Sequence, residues 1–193
     1  MLGITANRMF RDRPIHSGTL IMGAGNRIDD DMHSNEISES LRTRMTIIEM
    51  VPDVISFSAY GVETGDIHPV IIGYLQYKAD HLYKHEDGVN RFPSPRGWWE
   101  ASQQLKEFSD PNEDLFKNGS KDNWKGIVDR KCGPHIGNDF WAWYCIISKV
   151  DVAGILKGTA SLHAGSDSDR RMSQFAAIFA VSQELNNGGV KLG

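Results

Sequence analysis

Thr-Leu-Ile-Met-Gly-Ala-Gly, residues 19–25, is a mostly apolar run that ends at Asn26. It lacks the alternation of apolar and polar residues that marks a strand with one face in water. Such a continuous run is typical of a strand buried on both faces of a parallel sheet. We therefore predict a strand over residues 19–25. Its carboxyl end places Asn26 where ligands bind in open parallel sheets.

The residues that follow predict one helix and one more strand. Ser34 or Asn35 is suited to cap a short helix that runs through Arg42. Residues 45–51 read as a second strand, and Pro52 ends it because proline cannot donate to a sheet ladder. The first part of the chain, 1–52, is therefore predicted to be α/β.

From residue 53 onward the pattern changes to helical spacing, so we place a domain boundary there and predict an all-helical domain over 53–193. Pro69 fits the first turn of one helix, and Ser94 caps another. Residues 109–126 read as a polar connector. Asn138 is predicted to cap a further helix, and a last helix is predicted from about Ser168.

The composition excludes some classes of partner. The 193 residues carry a net charge of -4, with 40% hydrophobic and 24% charged residues. A general binder of nucleic acid or of anionic membranes normally has a basic excess, so neither is expected as a partner. Cys132 and Cys145 are too far apart for a CxxC motif, and the N-terminal residues lack the pattern of a signal peptide. We expect a soluble, cytoplasmic protein with reduced cysteines. A single disulfide between Cys132 and Cys145 is the alternative.

Arg96 is the strongest candidate for a binding residue. Ser94 and Pro95 favour the cap and the first position of a helix, so Arg96 falls in its first turn. A cation there opposes the positive end of the helix dipole, which costs about 0.3–1 kcal/mol. A bound anion such as phosphate would offset this cost. The alternative is a solvated arginine or a salt bridge with Glu100, four residues on.

Asn26, Arg42 and Arg44 are candidates for catalysis. An amide at the end of a strand is able to orient a water molecule that attacks a terminal phosphate, and an arginine is able to neutralise the transferred charge. Arg42 and Arg44 are two apart and face different directions on a helix, so one of them is expected to be structural. The alternative for Asn26 is an asparagine in a turn. The alternative for the two arginines is a basic pair at the surface that balances the charges of Glu36 and Glu39.

A metal site is not expected from the histidines. His81 and His85 have the spacing of a zinc pair, but no glutamate follows His81 as the HExxH motif requires.

These segments, taken in order, resemble the C-terminal part of a MoxR-type AAA+ ATPase. Residues 20–26 (Leu-Ile-Met-Gly-Ala-Gly-Asn) are similar to the strand that ends in the sensor-1 asparagine. Residues 40–45 (Ser-Leu-Arg-Thr-Arg-Met) resemble the arginine-finger segment, with Met45 in place of an aromatic residue. Residues 93–96 (Pro-Ser-Pro-Arg) resemble the sensor-2 motif that opens a helix of the lid. The resemblance covers roughly residues 18–150.

The resemblance implies a remnant of a P-loop parallel sheet followed by a helical lid. It also implies ATP and Mg²⁺ as ligands, a homo-oligomeric ring, and a protein substrate or a von Willebrand-type A-domain partner. The sequence has no G-x-x-x-x-G-K-[ST] loop and no apolar strand that ends in Asp-Glu, so both Walker motifs are missing. We expect a fragment of a longer ATPase that is inactive alone. A non-catalytic helical interaction module, or an unrelated helical domain, is the alternative.

Overall fold

The structure is a computed structural model, and it describes residues 4, 7–25, 37–85, 91–109, 121–151, 154–155, 157–159, 174 and 177–179. The chain divides into two compact units, Met1–Val51 and Pro52–Gly193. Each unit has its own local order and is described by itself below.

A small hairpin is the main ordered feature of the first unit. Strand β1 (Met9–Phe10) pairs with β2 (Arg13–Pro14) in an antiparallel register, with Met9 opposite Pro14. The Arg8 guanidinium Nη2 donates to the carbonyl oxygens of His16, Ser17 and Thr19, at 2.9, 3.2 and 2.7 Å. The loop after the hairpin is therefore held by one side chain. Helix α1 (Glu39–Arg42) is a single turn, with Ser38 at its N-cap position.

The two strands predicted for the first unit are wrong. Residues 19–25 and 45–51 contain no strand, and the sheet of the described residues consists of β1 and β2 alone. The apolar side chains of both segments face solvent, and Met22 and Met50 are 83% and 87% exposed. A strand buried on both faces requires neighbouring strands and covering helices, and the described part of this unit provides neither. The predicted parallel sheet is therefore absent from these residues.

All regular secondary structure that the structure describes in the second unit is helical, as the sequence predicted for residues after 52. Helix α2 (Val54–Thr64) begins at Asp53, whose carboxylate accepts a bond from the Ser56 N–H at 2.8 Å. It ends at Gly65, whose φ of 69° lies in the left-handed region. Helix α3 (Pro69–Tyr77) follows, and then a 3₁₀ turn (Ala79–His81).

Three further helices and a π-helical turn lie within residues 91–109 and 121–151. Helix α4 spans Pro95–Glu107, a π-helical turn spans Lys121–Lys125, α5 spans Gly126–Cys132 and α6 spans Pro134–Ile147. The predicted cap at Asn138 is wrong, because α6 already begins at Pro134 and Asn138 lies inside it. Gly133 permits the early start, since its φ of 99° suits glycine and Pro134 then takes the first helical position.

Aromatic side chains form the centre of the second unit. The ring of Tyr74, on α3, lies 5.3 Å from Phe140, 5.7 Å from Trp143 and 5.6 Å from Trp98. All four side chains are buried. Trp124 is buried as well, so the interpretation of 109–126 as a purely polar connector is wrong at its C-terminal end. The core therefore joins α3, α4, α6 and the π-helical turn.

The last predicted helix lies mostly outside the described residues. Residues 174 and 177–179 are helical, and Phe179 is buried, as predicted. A Cβ atom at Gly73 would lie 2.7 Å from the Phe179 ring, so a glycine in α3 allows this contact.

Candidate functional site

The first turn of α4 carries the residues that the sequence singled out for phosphate binding. Ser94 Oγ accepts a hydrogen bond from the Gly97 N–H at 3.1 Å, and Pro95 takes the first helical position, as predicted. Arg96 is exposed at this end of the helix. Pro95 has no N–H, and the Gly97 and Trp98 N–H groups donate to Ser94, so within this turn the Arg96 N–H is left to meet an anion together with the helix dipole.

The predicted alternative, a salt bridge between Arg96 and Glu100, is not formed. Glu100 Oε2 instead pairs with Lys131 Nζ at 2.7 Å, across to α5. This hydrogen bond, and then the charge of Lys131, lower the pKa of Glu100, and Arg96 adds a smaller effect. Within the described residues the Arg96 side chain has no hydrogen bond and no ion pair, and it is exposed.

Two contacts fix the start of α4 on the core. Trp98 is fully buried, and its Nε1 donates to the carbonyl oxygen of His81 at 2.7 Å. Gly97 lies against the C-terminal end of α5, since a Cβ atom there would come within 3.0 Å of the Lys131 carbonyl oxygen. The backbone around Arg96 is thus held by its two C-terminal neighbours.

A buried polar cluster holds the middle of α4. Ser102 Oγ accepts from the His68 N–H at 2.6 Å and donates to the Asp66 carbonyl oxygen at 3.0 Å. His68 is the N-cap of α3, where its Nδ1 accepts from the Val70 N–H at 3.3 Å. The cluster ties the loop before α3 to α4, and so to the helix that carries Arg96.

The same cluster has the composition, but not the geometry, of a serine–histidine catalytic pair. Ser109 Oγ lies 3.4 Å from His68 Nε2. Because Nδ1 already accepts a bond, the proton of neutral His68 lies on Nε2, so this atom is not a base towards Ser109. Burial, and then the charge of Lys106, lower the pKa of His68 to about 4. The pair is therefore structural.

His81 belongs to a second polar cluster and is not part of a helical zinc pair. It lies in the 3₁₀ turn, and its Nδ1 is 2.6 Å from the Tyr74 hydroxyl. Its Nε2 is 3.8 Å from Asp80 Oδ2 and 3.9 Å from Asp139 Oδ2. Burial lowers the pKa of His81 despite these carboxylates. In the described part of the chain, no group of three or more His, Cys, Asp or Glu residues is arranged to hold a metal ion.

The catalytic candidates lie in the first unit. Asn26 is outside the described residues. Arg42 ends α1 and is exposed, as is Arg44 just beyond it. The Arg44 guanidinium Nη1 donates to the carbonyl oxygen of Ser40, one turn back, and Thr43 Oγ1 donates to the same oxygen at 3.3 Å, so side chains satisfy this carbonyl at the helix end. Pro95 and Arg96, by contrast, belong to the second unit.

The sequence did not point to Lys131. This lysine is 31 residues from Glu100, and no periodic pattern links two charges on separate helices. His68 was missed as well, although Pro69 offered a signal for it, because the residue before a proline at the first helical position occupies the N-cap position.

Comparison with known proteins adds no relative to this picture. The chain matches no protein-family model, no curated protein and no solved structure. Among the helices of the described residues, none has the length and apolar character that a membrane crossing requires.

Proposed function

We propose that this chain supplies the arginine-bearing part of an ATP-hydrolysing site in a MoxR-type AAA+ ATPase. In this proposal Asn26 is the sensor-1 residue, Arg42 or Arg44 is the arginine finger, and Arg96 with Pro95 forms the sensor-2 motif. The phosphate loop and the acidic residues that hold ATP and Mg²⁺ belong to an upstream part. The active form is a homo-oligomeric ring that remodels a protein substrate.

The observation that carries the proposal is the state of Arg96. An arginine in the first turn of a helix opposes the dipole, and a nearby carboxylate would ordinarily offset that cost. Here the carboxylate four residues on is engaged by Lys131, and Arg96 stays exposed. A phosphate group would accept charge-assisted bonds from the Arg96 guanidinium and a further bond from the Arg96 N–H.

The first unit leaves apolar side chains uncovered. The large apolar side chains described within 19–25 and 45–51 are exposed. Contact with another part of the proposed assembly would bury them.

The residues of this chain would then have distinct tasks. Asn26 orients the attacking water, the finger arginine neutralises charge on the transferred phosphate across a subunit boundary, and Arg96 binds the phosphates from the lid. Within the described residues no group of three or more His, Cys, Asp or Glu side chains is arranged to hold Mg²⁺, and the proposal assigns the metal to the upstream part.

The test is Arg96→Ala in the ATPase that contains the upstream motifs. Charge-assisted contacts are worth about 1.5–3 kcal/mol, which corresponds to a roughly ten-fold to over a hundred-fold loss of turnover. Arg96→Lys is expected to restore only part, because an ammonium does not reproduce the planar fork. Arg130→Ala, which removes an exposed arginine of α5, serves as the matched control and leaves turnover unchanged.

Thermal stability separates a ligand contact from a structural one. Removing Arg96 relieves an unfavourable dipole interaction, so the melting temperature is expected to stay the same or rise. A marked drop in melting temperature, with unchanged turnover per folded molecule, would make Arg96 a structural residue and end the sensor-2 assignment.

A non-catalytic interaction module is the second candidate, and one surface favours it. Ile55, Ala59 and Val62 lie at helical spacing on α2, and all three are exposed. Beside them is a groove of about 540 Å³, lined in part by Val54 and Gln76. Apolar surface of this kind is often covered by a partner protein. Absence of ATP turnover in the unsubstituted protein that contains the upstream motifs would favour this candidate.

We also place the proposed assembly in the cytoplasm. Cys132 and Cys145 are both free, and free thiols are the usual state of cysteine in a reducing compartment.

A further inference from the structure

Helix α2 presents an apolar stripe to solvent, formed by Ile55, Ala59 and Val62. These residues are three and four apart and therefore share one face of the helix. Ile55 is 79% exposed and Val62 is 59% exposed. Among the eleven residues of α2 only Glu63 is charged, whereas the exposed face of a helix in a globular protein ordinarily carries several charges. The α2 stripe is therefore an unusual surface for a helix that faces water.

A groove extends the α2 stripe towards the next helix. It has a volume of about 540 Å³ and is lined by Val54 and Ile55 of α2, by Gln76 of α3 and by Ala79 of the 3₁₀ turn. A cleft of this size accommodates side chains of a ligand. The backbone N–H and C=O groups within both helices are used by the helices themselves, so a partner is recognised here by its side chains and not by strand addition.

The surface is held in place before any partner binds. The Asp53 carboxylate caps α2 by accepting a bond from the Ser56 N–H at 2.8 Å. On the opposite face, α2 packs closely on the residues that follow it, since a Cβ atom at Gly61 would lie 2.7 Å from Ile67 Cβ and 3.1 Å from Ile72 Cδ1. Because the helix is already fixed, a partner that covers it has little ordering entropy to overcome on this side.

The charges around the α2 stripe are mainly negative. Residues 52–77 contain three carboxylates, Asp53, Glu63 and Asp66, and no lysine or arginine. Asp53 lines the groove itself. Asp80, which follows Ala79 of the groove, has a side chain that is 75% exposed. An apolar surface with carboxylates at its edges is complementary to a partner that is apolar and basic.

Two lysines come near this region, and each has a contact of its own. Lys78 Nζ lies 5.9 Å from the centre of the Tyr77 ring. Lys106 Nζ donates to the carbonyl oxygen of Gly65, at the C-terminal end of α2, at 2.5 Å. Neither lysine forms a printed bond with Asp53 or Glu63, so the charge at the edges of the α2 stripe stays negative.

We propose that the α2 stripe and its groove are a docking surface for a basic amphipathic helix of a protein partner. The apolar face of that helix covers Ile55 and Val62, and its flanking lysines or arginines lie opposite Asp53 and Glu63. This inference gives a partner chemistry to the surface that favours the second candidate function. It does not depend on the ATP site.

The experiment uses this chain without nucleotide, together with a synthetic probe. The probe is a fluorescein-labelled helical peptide of about 18 residues, with leucines three and four apart on one face and lysines on the others. Fluorescence anisotropy is expected to show saturable binding. A second peptide with glutamate in place of every lysine is expected not to bind, because its charge repels the carboxylates. Equal affinity for the two peptides, or no binding of the lysine peptide, would overturn the inference.

Two substitutions locate the peptide on the surface. Ile55→Gln keeps a good helix former and is expected to weaken binding about ten-fold, the value of one aliphatic side chain removed from water. Glu63→Gln is expected to weaken binding about two- to five-fold at low salt, and to have no effect in about 1 M NaCl, which screens exposed charges. Both side chains are exposed, so urea unfolding is expected to be unchanged in each variant.

Two matched variants elsewhere in the second unit serve as controls. Phe108→Gln removes another exposed apolar side chain, and Glu107→Gln removes another exposed carboxylate. Both are expected to leave peptide binding unchanged. An equal loss of affinity in Ile55→Gln and Phe108→Gln would mean that the peptide coats apolar surface in general, and the inference would be wrong.

A second copy of this chain is the competing occupant of the α2 stripe. Analytical ultracentrifugation without peptide is expected to give the same distribution of species for the unsubstituted chain and for Ile55→Gln. Loss of an oligomer in Ile55→Gln would assign the stripe to contacts between copies and would overturn the inference. None of these outcomes bears on the proposed ATP site, because no nucleotide is present and Arg96 is unchanged.

Discussion

Two apolar runs of similar composition differ in burial: one is exposed to solvent and the other lies in the core. Leu20, Ile21 and Met22 of the first unit are all exposed, whereas Val70, Ile71 and Ile72 of the second unit are 0–2% exposed. The second run lies on a helix that packs against aromatic side chains from other helices. The first has no such neighbours within the described residues. The difference shows that the apolar character of a segment does not bury it; a complementary surface must also be present.

The largest expected effect concerns Trp98, which joins the core of the second unit. Trp98→Ala removes a fully buried indole and the bond from its Nε1 to His81, so we expect about 3–5 kcal/mol of destabilisation. Ile48→Ala, a matched change in the first unit, is expected to stay within about 0.5 kcal/mol because Ile48 is exposed. Urea unfolding followed by far-UV circular dichroism measures both. Equal losses for the two variants would contradict the contrast between the units.

The next effect tests the packing of α5 on α6. A Cβ atom at Gly137 would lie 1.8 Å from Asp129 Oδ1, which is too close for any side chain. Gly137→Ala is therefore expected to destabilise the second unit by about 1–3 kcal/mol. All five tryptophans belong to this unit, so their fluorescence during unfolding reports on it alone. In Gly126→Ala the new atom meets only the flexible end of Arg130, and little change is expected.

A smaller effect is expected from pH. The folded pKa of His68, about 4, lies below the unfolded value of about 6.5, so the unfolded chain takes up the proton first. The stability that His68 contributes is complete above pH 6.5 and is lost as the pH falls towards 4. Between pH 7 and pH 5 we expect a loss of about 2 kcal/mol in the second unit. His68→Asn is expected to remove most of this pH dependence; an identical profile in the variant would contradict it.

The sequence predicted the second unit better than the first. Ser94, Pro95 and Pro69 mark helix starts by local hydrogen bonding and by fixed backbone geometry, and these are properties of a few adjacent residues. The boundary of α6 was missed because a glycine with positive φ allowed the helix to begin before Asn138. The strands at 19–25 and 45–51 were wrong because sheet pairing depends on partners distant in sequence.

In the candidate site, too, local sequence features were predicted and contacts between separate helices were not. The position of Arg96 in the first turn of α4 followed from its neighbours along the chain. The pairing of Glu100 with Lys131 did not, because it depends on the packing of two helices that are separate in sequence. The roles of Asn26, Arg42 and Arg44 stay predictions.

The central claim is that this chain is one part of an ATP site, and ATP calorimetry tests it most directly. The chain alone is expected to bind no ATP at micromolar concentration, because it lacks the glycine loop and lysine that cradle phosphates. Joined to an upstream segment that carries the phosphate loop, it is expected to bind ATP, and Arg96→Ala is expected to weaken that binding. Micromolar binding by the chain alone, or no effect of Arg96→Ala in the joined protein, would contradict the account.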